Sequence, residues 1–142
     1  MGKTSVNPSK ELALHAYVQE QIGKPFEYGV HDCVTFAAEV LDILTDGDMA
    51  TIIRNRRKSN NELSTYIAEY GSIGDHIESV GGKLVDVAYV QTGDFILIEH
   101  KPDVISACIC LGAKSAVNID KRGVMLFHTH KIENIREVWR AR

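Results

Sequence analysis

Cysteine is scarce in this chain, with three residues in 142, and the number is odd. Three thiols cannot build a full disulfide framework, and Cys108 and Cys110 stand too close together for an easy bridge within an extended strand. That usage fits synthesis in a reducing compartment. The chain also lacks any apolar run long enough to span a membrane. Its opening MGKTSVNPSK has no apolar h-region, so no signal peptide is visible. The Met1-Gly2 start is not a myristoylation pattern, because Val6 stands where Ser or Thr is required. Charge of one sign is missing too: a net charge of −3 gives no general pull towards nucleic acid or acidic membranes. No CxxC pair, HExxH helix, P-loop or GxGxxG occurs, and neither does an internal repeat or low-complexity tract. No cofactor, nucleic-acid partner or membrane insertion is therefore expected.

What is present is ordinary globular material, 44% hydrophobic and 25% charged. One domain over 1–142 with a loose start at 1–6 accounts for the length. Asn7-Pro8 opens a first helix as N-cap and first helical residue, and Leu14, Tyr17, Val18 and Ile22 mark its inner face. Gly23 and Pro25 end it. The second helix, from about Asp32 to Thr45, is the centre of the chain. Val34, Ala37, Ala38, Leu41 and Leu44 recur at helical spacing, with Phe36, Val40 and Ile43 on the adjoining face, so it is expected to be buried.

Short helical pieces follow over 49–80. After Gly82 the texture changes to short β-prone runs: 84–89, Phe95–Glu99, Val104–Leu111, 114–119, Val124–His128 and a last segment ending Val138-Trp139-Arg140. The apolar run VISACICL reads as a strand covered on both faces. Helices first and a strand meander afterwards make the fold class α+β with an antiparallel sheet.

Cys33 falls in the first turn of the central helix. Unpaired backbone N–H groups and the helix dipole there favour a thiolate, which is what a cysteine nucleophile needs. The competing reading is a small buried hydrophobe. Six histidines could serve as base. His15 and His76 lie on helices and are expected at the surface, and His31 precedes Cys33 in a turn expected to aim it elsewhere. His128 and His130 alternate along one strand face. Their HxH spacing is half a metal site at most. Cys108 and Cys110 sit in an apolar setting that favours core packing. The basic cluster Arg54, Arg56, Arg57 and Lys58 reads either as a grip for phosphate or an acidic partner, or as a solvated face.

The tight lead-in from Phe26 through Tyr28-Gly29-Val30-His31 to Asp32-Cys33, the buried helix behind it, Gly93-Asp94 opening a strand, and Trp139-Arg140 near the end form a combination. Over roughly Phe26 to Trp139 it resembles the NlpC-type cell-wall peptidases of the papain-like cysteine peptidase superfamily. It looks closest to a branch of small phage and prophage tail proteins. The resemblance implies a papain-like core with the cysteine helix packed on a small antiparallel sheet.

Enzymatic members carry Asp-Cys-Ser-Gly where this chain has Asp32-Cys33-Val34-Thr35. Their basic histidine falls at Ser106, and a serine hydroxyl is far too weak a base. Their third polar position falls at Asn118. The resemblance thus implies a catalytically degenerate structural or adaptor protein of a tail tip or baseplate. It would be assembled in the host cytoplasm into the virion tail, with other tail proteins as partners and a residual cleft lined by Tyr28 and Ser106. The alternative is an active cysteine hydrolase cutting peptidoglycan peptides during entry. There Cys33 would be the nucleophile, His128 (or His130) the base and Asn118 its orienter, with the Cys33 N–H and Tyr28 at the oxyanion.

Overall fold

The structure is a computed structural model that describes residues 7–27, 31–58, 63–102, 104–118 and 122–141. Among the described residues five helices come first: α1 (Pro8–Gln21), α2 (Cys33–Thr45), α3 (Met49–Arg57), α4 (Leu63–Tyr70) and α5 (Ile73–Ser79). Six strands follow: β1 (Lys83–Val85), β2 (Phe95–Lys101), β3 (Val104–Cys110), β4 (Lys114–Asn118), β5 (Val124–His128) and β6 (Ile135–Arg140). Short 3₁₀ turns at Val87–Tyr89 and Thr129–Lys131 interrupt the second half. The fold is α+β, as the change of texture at Gly82 implies.

All strands pair antiparallel in one sheet of order β1-β6-β2-β3-β4-β5. β2 to β5 form the expected meander. The C-terminal strand is different, because it inserts between β1 and β2, with Lys83 opposite Arg140 and Phe95 opposite Trp139. The run expected as a strand over 84–89 keeps only its first part. Asp86 accepts from the Ala88 N–H and turns the rest into a 3₁₀ turn.

Strand alternation gives the sheet two apolar faces. Phe95, Leu97, Ala107, Ile109 and Ala116 pack beneath α2 in the main core, which also holds Leu14, Phe36, Leu41 and Tyr66. On the other face Ile96, Cys108, Cys110, Val117 and Val138 make a smaller cluster. Val90 and Ile132, which follow the two 3₁₀ turns, pack against it. β3 is thus covered on both sides, as its continuous apolar run requires.

The two short motifs of the second half meet. Gly93 takes φ +93°, a left-handed conformation that suits glycine, and delivers Asp94 to the start of β2. Arg140 at the end of β6 clamps that buried carboxylate, Nε to Oδ1 at 2.9 Å and Nη2 to Oδ2 at 2.8 Å. Trp139 packs on α5, where Gly74 leaves room: a Cβ there would come within 2.9 Å of the indole nitrogen.

Candidate functional site

α2 begins at Cys33 because Asp32 caps it. Asp32 Oδ1 accepts from the backbone N–H groups of Val34 (3.1 Å) and Thr35 (2.9 Å), and the Thr35 hydroxyl accepts from the Asp32 N–H at 2.8 Å. Asp32 and Thr35 thus form a reciprocal capping box. The other carboxylate oxygen, Oδ2, accepts from Arg57 Nη1 at 2.6 Å, with both side chains 0% exposed. Arg57 also lies 5.7 Å from the Tyr66 ring centre, and the Tyr66 hydroxyl is 3.1 Å from His76 Nε2. A buried polar chain therefore runs from the cap of α2 through α3 and α4 to α5.

Two sequence expectations change here. His76, expected at the surface, is 7% exposed. The basic cluster on α3 turns inward in part: Arg57 is buried, Arg54 pairs with Glu39, and Arg56 lies 4.5 Å over the Tyr70 ring. Intramolecular partners at distant sequence positions decided both.

Cys33 occupies the first helical position but is 4% exposed. Burial is the main influence on its thiol and pushes the pKa up to about 12; the adjacent Asp32 charge acts in the same direction. A hydrogen bond with the Ser106 side chain and the charge of Arg57 oppose the rise without overcoming it. The thiolate stabilisation expected from the helix N-terminus is overridden. That effect is worth about 0.3–1 kcal/mol, rising to roughly 2 in buried settings, whereas removing a charge from water costs several. At neutral pH Cys33 is a thiol.

Asn118, at the end of β4, is fully buried and faces an imidazole that is not His128. Its Nδ2 lies 3.3 Å from His31 Nδ1, and His31 Nε2 lies 3.0 Å from Gln21 Oε1 at the end of α1. With the Asn118 amide donating, Nδ1 accepts and Nε2–H donates to Gln21, so the ring is neutral. Burial lowers the His31 pKa first, and the charges of Lys24 and Arg54 add to that; a hydrogen bond to the Pro25 backbone and the Asp32 charge oppose it. Both ring nitrogens are engaged. Among the described residues, no imidazole is hydrogen-bonded to the Cys33 sulfur.

His128 is elsewhere. In the β4–β5 hairpin Asn118 stands opposite Val124, whereas His128 stands opposite Lys114 at the other end. It is exposed, and its ring lies 5.7 Å from that of His130. The structure therefore brings Cys33, Ser106, Asn118 and His31 to one corner and leaves His128 and His130 out of it. Tyr28, read as an oxyanion and cleft residue, lies outside the described residues. No group of three or more His, Cys, Asp or Glu side chains able to hold a metal occurs among the described residues. No helix among them is long and apolar enough to cross a membrane.

Sequence reasoning missed three partners. His31 carried a signal, its nearness to Cys33, but the direction of its ring depends on where β4 ends. Arg57 stood out as part of the basic cluster, but nothing in the sequence pointed it at Asp32, and Gln21 carried no signal, because the contacts they make join separate elements. No curated protein matches this chain. The sequence does match a family model over residues 7–141, described as Domain of unknown function (DUF6950), and the chain belongs to that family.

Proposed function

We propose that this chain is a structural or adaptor protein of a phage tail tip or baseplate, built on an NlpC-type peptidase fold and catalytically silent. The observation that carries the silence is the state of Cys33: buried, its thiol pKa pushed up to about 12, and not hydrogen-bonded to any imidazole among the described residues. Cysteine catalysis needs a thiolate and a base beside it. Here Asp32 is committed to the cap and to Arg57, and His31 to two amides. The tail assignment rests on the resemblance of Asp32-Cys33, Gly93-Asp94 and Trp139-Arg140 to the tail-protein branch. Its partners would be neighbouring tail proteins, and its place the virion tail.

The test has two arms. Purified peptidoglycan incubated with wild type and with Cys33→Ala should release no new amines above background in either case. In particles that carry the gene, the protein should be found in purified tails at fixed stoichiometry, and Cys33→Ala should leave infectivity intact. Cys33-dependent release would overturn the silent reading, and absence from purified tails would overturn the tail reading.

A second reading has one observation in its favour. Asn118 holds an imidazole only two residues before the cysteine, so a Cys, a His and an Asn do share a corner. An active hydrolase would use His31 as base, not His128; Gln21 must be released and the Asn118 amide turned so that Oδ1 accepts from Nδ1–H and Nε2 is left free to take the thiol proton. Alkylation of Cys33 in the native protein discriminates the readings. The silent protein leaves Cys33 unlabelled at pH 7–8 until it is unfolded, whereas the hydrolase labels below the ~8.5 of an ordinary thiol and loses this in His31→Ala.

A further inference from the structure

The second face of the sheet carries a cavity of about 410 Å³ that the cysteine corner does not explain. Its floor is the cross-strand pair Cys108 and Val117, 2% and 1% exposed. Ile98 and Ile132 wall it, Phe127, 39% exposed, stands at its mouth, and the strand edge at Leu126 completes the lining. The volume lies within the range of small-molecule sites, which are apolar with a few placed polar groups. Here two of those groups are cationic: Lys114 and Lys131 line the same cavity, beside His128, with Glu133 as the single carboxylate. Lys114 and His128 are cross-strand partners, so two of the basic groups stand at one end of the hairpin. Neither Lys114 nor Lys131 is in an ion pair among the described residues.

We propose that this cavity binds a small amphipathic carboxylate, its apolar part against Cys108, Val117 and Phe127 and its carboxylate at Lys114 and Lys131. The excess of lysine over carboxylate selects an anion, and the apolar floor selects a chain or ring over a small hydrophilic acid. The site is separate from Cys33 and stands whether or not the tail reading does.

The experiment uses the full chain with labelled methyl groups and three probes below their micelle concentrations: decanoate, decylamine and decanol. Decanoate should shift the methyls of Ile98, Val117 and Ile132 saturably, and decylamine should bind at least tenfold more weakly. The double variant Lys114→Ala/Lys131→Ala should weaken decanoate about tenfold, as loss of two exposed charge pairs implies, and leave decanol unchanged. Phe127→Trp, which enlarges an exposed ring at the mouth, should abolish binding at unchanged thermal stability.

Absence of saturable shifts, equal binding of decylamine, or indifference to the lysine pair would each overturn the proposal. So would the same methyls shifting when the protein alone is concentrated, which would make the occupant a second copy. Shifts seen only with anionic phospholipid vesicles would assign the face to a bilayer instead.

Discussion

The two faces of the one sheet are built on opposite principles. Beneath α2 buried polar side chains stand in pairs: charged Asp32 with Arg57, and neutral Tyr66 with His76. On the other face a five-residue cluster is roofed only by the segments around two 3₁₀ turns, leaving two neighbouring cavities of about 410 and 420 Å³ either side of Ile132. The filled face holds the feature that reads as catalytic in the sequence and commits it to structure. The thin face carries no catalytic motif and retains the space to bind something. A motif that reads as catalytic in a sequence can therefore fall in the part of the molecule least able to use it.

The contrast is sharpest if one member of the buried ion pair is removed. Arg57→Met leaves the Asp32 carboxylate without its cation and should cost about 3–5 kcal/mol in urea unfolding. Adding Asp32→Asn, which keeps a capping side chain, should recover part of the loss. A cost under 1 kcal/mol would show that the pair is not the anchor of the helical layer.

Next in size is Arg140→Ala, which takes two charge-assisted bonds from buried Asp94 and should cost about 2–3 kcal/mol by the same measurement. On the thin face Val138→Ala removes two buried carbons at 1% exposure and should cost about 1.5–2 kcal/mol. A larger loss than that of Arg57→Met would reverse the ranking of the two faces.

The smallest effect is one of pH. Burial lowers the pKa of both His76 and His31 from the usual 6.5, and the Arg56 charge lowers His76 further while Asp75 opposes. Protonation therefore favours the unfolded chain, which takes up protons as pH falls through about 6.5. Stability contributed by these neutral rings is present above that pH, declines below it, and levels off beneath the folded pKa values. Urea midpoints between pH 7.5 and 5 should show the decline, and His31→Gln with His76→Gln should flatten it. An unchanged slope in that double variant would assign the pH dependence to other groups.

Much of the fold was legible in the sequence for local reasons. Asn7-Pro8 is a cap that acts within three residues and starts a helix in the structure, and the central helix begins beside Asp32 as its apolar spacing implies. Gly93-Asp94 and the apolar run of β3 likewise declare a turn and a doubly covered strand. The placement of β6 was not legible, because its pairing with β1 and β2 joins residues far apart in the chain, and any β-prone strand with an apolar face satisfies the pattern. The same holds for His76, which looks like a surface residue on a short helix until Tyr66 is brought against it.

For the candidate site the division falls within single residues. The sequence by itself determined that Cys33 lies in the first turn of a buried helix, because the apolar period is read over a dozen neighbouring positions. Only the tertiary structure decided what that cysteine is. The burial that raises its pKa, the arginine that occupies its neighbour's carboxylate and the Asn118 that turns to His31 come from elements 25 to 87 residues away. Desolvation and pairing depend on which surfaces meet, and the order of residues along a helix does not specify that.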